Sequence, residues 1–288
     1  MAEASKRMIS GLVMAVLIFS FMTAMLFAHE GSPDAEVLEP VTFSVENGGS
    51  VNLGTIGPGQ TLFITVNGKA IGLEGREANW GVLGVVETPA SWTSGDSKVF
   101  AQRMQATVTA DKFAKDGTYK VKFILTECEK KEEKCEAKQG LGSVTFYGTL
   151  SISKSVLSTV MPKTEIVTGV GQPARYDLVI ENKGTANDVF EIASEGVPAW
   201  SLKKNVHVPA GGKVITFYEI ATKEEKEYTP IIRIKSLSSD ELKKEYTVSF
   251  VSRSDVIGDI RATKNGVLLF PIILEPLYSL MGILGYVI

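Results

Sequence analysis

Histidine is nearly absent from this chain: His29 and His207 are the two in 288 residues. Serine-hydrolase chemistry and His-containing metal sites both need a positioned imidazole, so both lack their raw material. His207 stands in Asn-Val-His-Val-Pro, alternating with Val206 and Val208, which places it on the outward face of a strand. Cysteine is equally scarce. Cys128 and Cys135 form a C-x6-C pair, not the C-x2-C of a zinc knuckle or redox motif. No G-x-S-x-G, H-E-x-x-H, Walker or EF-hand pattern occurs, and Asp111, Asp116, Asp188 and Asp240 show no D-x-D spacing. The run Gly169-x-Gly171-x-x-Ala174 imitates a dinucleotide fingerprint, but a β-alternating strand follows it where that site needs a helix N-terminus. No catalytic residue, cofactor or metal is assigned, and the chain reads as a non-enzyme. The net charge of −3 has no basic field in it, which excludes nucleic acid as a partner. None of the eight asparagines begins an N-x-[ST] sequon, which argues against a heavily decorated surface-layer subunit.

What the chain has in excess is apolar sequence, concentrated at its two ends. Met8 to Ala28 runs 21 residues without a charge behind Lys6 and Arg7. Roughly 20 apolar residues cross the hydrocarbon as a helix, and a basic pair stays cytoplasmic, so the remainder is expected to be exported. The run is longer than the roughly 7 to 15 apolar residues of a cleavable signal, yet Ala28 offers a cleavage edge. Signal peptide and uncleaved anchor both stay open. At the other end, Gly266 to Ile288 is long enough to span but carries Pro271, Pro276 and the acidic Glu275. Its thirteen Ile, Leu, Val and Phe residues, at roughly −0.3 to −0.6 kcal/mol each, outweigh one central acid at about +3 kcal/mol. A transmembrane helix is expected, the alternative being a tail packed on its own domain or on a partner. An acid inside an apolar segment is costly and usually has a partner, so Glu275 is the candidate intramembrane contact. In an exported chain the cysteines Cys128 and Cys135 read as a disulfide.

Between the ends, period-two alternation is everywhere. Runs at Gln60 to Val66, Met104 to Ala110, Tyr119 to Thr126, Ser143 to Ser153, Tyr176 to Ile180, Lys213 to Ile220, Tyr228 to Lys235 and Glu245 to Ser252 read as strands. Turn signals at Asn47-Gly48, Gly57-Pro58-Gly59, Asn67-Gly68, Asp116-Gly117, Asn182-Lys183-Gly184 and Ala210-Gly211-Gly212 punctuate them. The two halves also repeat. Gly57-Pro58-Gly59-Gln60, Asn67-Gly68, Pro89-Ala90-Ser91-Trp92 and Tyr119 are answered by Gly171-Gln172-Pro173, Asn182-Lys183-Gly184, Pro198-Ala199-Trp200 and Tyr228. Tryptophan to tyrosine is 27 residues in one half (119 minus 92) and 28 in the other (228 minus 200). Two copies of one sandwich explain this better than a single large one. Trp92, Tyr119, Tyr176, Trp200 and Tyr228 are the expected core aromatics.

The first copy differs in two places. Between Asn67 and Trp92 it carries what reads as an insertion, with Trp80 to Val86 as an extra strand and Trp80 as an exposed platform. After the Tyr119 strand, the hairpin loop expands to ECEKKEEKCEAKQG. A Cys128–Cys135 bridge there would hold a charged protrusion, Lys130, Lys131, Glu132 and Glu133, in one shape. Trp80 and this tip are the candidate binding surface.

The second copy's Y-D-L-V-I-E-N-K-G, V-P-A-W, H-V-P-A-G-G-K and E-Y-T-P-I-I-R-I resemble the cell-adhesion-related and glycosidase-associated immunoglobulin-like domains of prokaryotic envelope proteins. The resemblance covers about residues 164 to 252 and, more loosely, 40 to 153. It implies seven-stranded sandwiches used as spacers or adhesion modules, without catalysis.

The expected fold class is thus all-β: two tandem immunoglobulin-like β-sandwiches flanked by hydrophobic, transmembrane-type helices. The expected segments are a signal or anchor (1–28), a linker (29–39), the first sandwich with its disulfide loop (40–153), a linker (154–163), the second sandwich (164–252), a juxtamembrane linker (253–265) and the C-terminal span (266–288). The expected function is a membrane-tethered, extracytoplasmic structural, adhesion or protein-binding module. Its partners would be the membrane and another envelope or membrane protein. Accessory subunit of a transport or secretion complex, and glycan-binding surface protein, are the alternatives.

Overall fold

A computed structural model describes residues 34–68, 79–101, 103–131, 134–136, 142–196 and 202–253. Both apolar ends lie outside the described residues, and so do Glu132, Glu133, Trp200 and Glu275. Among the described residues no helix is long and apolar enough to cross a membrane.

The described chain is all-β apart from a short 3-10 turn at Lys154–Val156. The first half contains β1 (Asp34–Glu39), β2 (Phe43–Glu46), β3 (Ser50–Ile56), β4 (Thr61–Gly68), β5 (Trp80–Glu87), β6 (Thr93–Gly95), β7 (Met104–Thr109), β8 (Gly117–Glu127), β9 (Glu129–Lys131), β10 (Lys134–Glu136) and β11 (Ser143–Ile152). One sheet runs β2-β1-β4-β7-β6, the facing sheet β3-β11-β8-β5, and β9-β10 form a separate hairpin. The second half contains β12 (Leu157–Val160), β13 (Glu165–Thr168), β14 (Ala174–Asn182), β15 (Asp188–Glu195), β16 (Lys204–Val208), β17 (Lys213–Ile220), β18 (Lys226–Tyr228), β19 (Ile231–Ser236), β20 (Lys243–Thr247) and β21 (Ser249–Ser252). Its sheets are β12-β14-β17, β13-β21-β18 and β16-β15-β19-β20. The last two are one bent layer. Pro230, lacking an N–H, interrupts the strand made of β18 and β19, and the Val248 N–H reaches across to the Pro230 carbonyl at 2.9 Å where β20 gives way to β21.

The repeat read from the turns is a repeat of topology. In the first sandwich β1 pairs antiparallel with β4, β4 with β7 and β5 with β8, while β3 runs parallel to β11. In the second, β12–β14, β14–β17, β15–β19 and the parallel β13–β21 reproduce those pairings one for one. A first strand that pairs antiparallel in one sheet and then crosses to run parallel to the last strand of the other is an immunoglobulin-like plan. The copies part at their sheet edges, β2 on β1 having no counterpart on β12 among the described residues. The first carries β6 on β7, whereas the second carries β16 on β15, so among the described residues β17 has no strand on its outer side.

This alignment corrects one expectation. Trp80 to Val86 is not an extra strand: β5 pairs with β8 as β15 pairs with β19, and therefore belongs to the common plan. The tryptophan spacing alone could not show this, because the sequence separating the second and third common strands differs in length between the halves.

Alternation fills each sandwich from both sheets. Leu62, Ile64 and Val66 from β4 meet Val121, Phe123 and Leu125 from β8, with Phe123 stacked on Phe146 at 5.1 Å between centroids. Tyr176, Leu178 and Ile180 from β14 meet Phe190, Ile192, Ile232 and Ile234 in the second core. Trp92 is buried and lies 5.1 Å from the Tyr119 ring, Tyr228 is buried and lies 6.0 Å from Phe250, and Tyr176 is fully enclosed.

The Tyr176 hydroxyl donates to the Ser249 carbonyl at 2.9 Å, and burial pushes its pKa from 10.0 up to about 12. A phenol kept neutral in the fold but free to ionise when unfolded contributes stability that is complete below pH 10.0 and lost as pH rises through about 12. Denaturant unfolding across that window is expected to show this loss in wild type. Tyr176→Phe removes its share of the slope and costs about 1 kcal/mol near neutral pH through the unmet carbonyl.

Candidate functional site

The two glycine-rich turns read from the sequence, 57–59 and 182–184, are the two halves of one junction. Beyond β14, Asn182 folds its side chain back: Nδ2 donates to the Ala186 and Val208 carbonyls, and Oδ1 accepts from the Gly184 N–H at 3.0 Å. This fixes residues 183–187 as a projecting bracket. Thr185 at its tip donates its N–H to the Thr55 carbonyl at 2.8 Å and its hydroxyl to the Leu53 and Thr55 carbonyls at 3.1 and 3.2 Å. Ala186 is buried within the first sandwich's core cluster. Gly54 has a φ of +90° beneath Thr185, and a Cβ there would fall on the threonine methyl, so the close approach requires glycine.

Behind the bracket sits a carboxylate. Asp188, the first residue of β15, is 4% exposed and accepts four hydrogen bonds. Its Oδ2 takes Gln60 Nε2 at 2.7 Å and Ser236 Oγ at 2.7 Å; its Oδ1 takes Ser238 Oγ at 3.0 Å and the Val189 N–H at 2.8 Å. Gln60 belongs to the first sandwich and is itself fully buried, its Oε1 accepting the Gly57 N–H at 2.7 Å. The amide therefore joins the 57–59 turn of one sandwich to the carboxylate of the other. Ser239 Oγ adds a donation to the Lys112 carbonyl at 2.7 Å. A Cβ on Gly59, whose φ is +71°, would strike the Ser238 carbonyl. At the rim Lys154 Nζ lies 2.6 Å from Glu241; that hydrogen bond and the partner's opposite charge lower the Glu241 pKa and raise that of Lys154.

Beside the bracket is a cleft of about 540 Å³. The first sandwich contributes Glu39, Phe63 and Gln105, the second Lys183 and Asn187. Phe63 is 45% exposed, and Glu39 and Gln105 meet through Thr65, whose hydroxyl donates to Glu39 Oε2 at 2.7 Å and accepts from Gln105 Nε2 at 3.2 Å. An aromatic face with amides, a carboxylate and an ammonium around it suits a polar ligand with one apolar side.

The expected binding surface is distributed differently. The disulfide joins Cys128, buried beside Gly81 of β5, to Cys135 in the middle of β10. Lys130 and Lys131 lie on β9. Just before the bridge, Glu127 is buried and accepts the Asn79 N–H at 3.1 Å and the Gly142 N–H at 2.8 Å, so a carboxylate anchors both chain segments flanking the hairpin base. Trp80 is half-buried against the first core, its indole lying over Gly68 of β4. His207 faces solvent. Among the described residues no group of three or more His, Cys, Asp and Glu could hold a metal ion.

Sequence reasoning missed Gln60, Thr185 and Asp188. The readable signal was Asp188 itself, an acid at the start of the alternating run Asp188 to Ile192 on the parity of buried Phe190.

No family model matches the chain, and no curated relative matches it in sequence. Solved structures of similar shape include a chimeric titin Z1Z2 (10% identity over 78% of this chain and 100% of that one, TM-score 0.31). The fibronectin(III)-like modules of Clostridium thermocellum CbhA match at 10% identity over 76% and 94%, TM-score 0.24. The D0-D1 domain of intimin matches at 13% over 71% and 95%, TM-score 0.23. Scores of this size carry nothing beyond the likeness itself, and the fold rests on the strand order above.

Removing Gln60's amide leaves one lobe of a buried carboxylate short of a donor. Gln60→Ala is expected to cost about 1 to 3 kcal/mol and to separate the unfolding of the two sandwiches into two transitions. A single transition at the wild-type midpoint in calorimetry would contradict this role for Gln60.

Proposed function

We propose that this chain is a structural or protein-binding module of the cell envelope: two sandwiches displayed outside the cytoplasm, tethered to the membrane and held in a fixed relation to each other. The observation that carries the reading is the junction. A spacer transmits position only if its modules do not swivel, and here a buried amide–carboxylate contact, a docked threonine and an alanine plugged into the neighbouring core oppose swivelling. The Cys128–Cys135 disulfide supports an exported location, since such bonds persist in oxidising compartments. The charged apolar-flanked start of the chain supports translocation, and its apolar ends support the tether. Partner contact falls to loops and sheet edges displayed on the scaffold.

Glycan binding is the second reading, favoured by the cleft beside Phe63. A glycan array probed with the full chain and with Phe63→Ala separates the two: binding lost in the variant supports the glycan site, and no binding by either protein dismisses it.

Expressed at full length in a bacterial host, the chain is expected to resist carbonate extraction, to be digested by protease added to spheroplasts, and to carry Cys128 and Cys135 unreactive toward maleimide until reduced. A soluble, protease-protected chain with free thiols would overturn the proposed location.

A further inference from the structure

The outer edge of β17 is one of the places where the second sandwich departs from the plan of the first, and its sequence is self-complementary. The counterpart strand β7 is covered by β6; among the described residues β17 pairs with β14 alone. The Asn182 N–H donates to the Gly212 carbonyl, which fixes the parity of the pair: the even-numbered residues of β17 bond to β14, and the backbone groups of Lys213, Ile215, Phe217 and Glu219 point away from it. The Phe217 carbonyl confirms that direction by accepting Lys204 Nζ at 2.9 Å from β16. On the outer face, Val160, Val179 and Ile215 form an apolar row across the three strands, and Ile215 at its end is 77% exposed. Phe217 beside it lies between Arg175 at 3.9 Å and Lys204 at 4.2 Å.

We propose that two copies of this chain pair antiparallel along β17, with Thr216 opposite its own copy on a two-fold axis. In that register Lys213 meets Glu219 of the second copy and Ile215 meets its Phe217, each contact occurring twice, as an isologous interface requires. The outward backbone groups of the odd-numbered residues then face each other as hydrogen-bonded pairs. Shifting the register by two residues either way sets Lys213 opposite Phe217, or Ile215 opposite Glu219, and loses the ion pairs. Lys204 is the built-in obstacle. A lysine capping an edge carbonyl suppresses indiscriminate strand addition, and here it must leave the Phe217 carbonyl for the second copy to enter. One strand pairing on another buries less than the roughly 1,200 Å² of a stable interface, so the pair is a weak one that trapping reveals better than a stable dimer peak.

Thr216→Cys in the full chain provides the trap, because a directly opposed non-hydrogen-bonded pair has its Cα atoms about 4.5 Å apart, within disulfide reach. Mild oxidation of the detergent-extracted variant is expected to give a covalent homodimer on a non-reducing gel. Adding Lys213→Glu reduces its yield about fivefold or more, since each ion pair becomes a repulsion, and adding Glu219→Lys to that restores it. Both positions are exposed, and circular dichroism checks that the charge variants stay folded. No homodimer from Thr216→Cys, a yield indifferent to Lys213→Glu, or a crosslinked band containing a different polypeptide would each overturn the pairing. The outcome does not depend on where in the cell the chain resides.

Discussion

The carboxylate of Asp188 organises this molecule. A buried carboxylate short of donors is destabilising, and this one draws one of its four, Gln60 Nε2, from the first sandwich and three, from Ser236, Ser238 and Val189, from the second. The fold of one half is thus completed by the other. The amide is held in place by the Gly57 N–H, which requires the tight 57–59 turn, and the turn in turn needs Gly59 to pass the Ser238 carbonyl. Each link is short and geometrically fixed, so reorienting the sandwiches would leave several buried groups unpaired at once.

From this constraint follows the difference between a flexible string of domains and a spacer. Linked sandwiches commonly meet through polar, modest interfaces and move relative to one another. Here the connection runs from β11 through a single 3-10 turn into β12, and the bracket of residues 183–187 reaches back onto Leu53 and Thr55. The second sandwich thereby seals the end of the first core with Ala186. The same docking creates the cleft in which Phe63 is displayed.

Much of the fold was legible because alternation and turn chemistry are local. The runs at Met104, Tyr119, Ser143, Lys213 and Glu245 coincide with β7, β8, β11, β17 and the β20–β21 strand, and the repeat of turns corresponds to a repeat of strand pairing. What failed were inferences about partners in space. Trp80 looked unique because it lies in a stretch with no obvious counterpart, yet β5 is a common strand and the indole covers Gly68, a contact set by register with β4 and β8 that no local pattern encodes. The junction was hidden for the same reason. Gly57-Pro58-Gly59 and Asn182-Lys183-Gly184 each announced a turn, but nothing in either announces that the two meet. Asp188 was weighed as a metal ligand and found wanting by spacing; its donors come from 128 residues before it and about 50 after it.

The central claim, that Asp188 and Gln60 hold the sandwiches in one orientation, is tested most directly by a distance distribution between them. Spin labels at Lys120→Cys on the first sandwich and Lys226→Cys on the second, both exposed and apart from the native disulfide, report it by pulsed electron resonance. A single narrow distribution in the otherwise wild-type chain, broadened by Asp188→Ala, is the predicted result. A broad distribution already present with Asp188 and Gln60 intact would contradict the account.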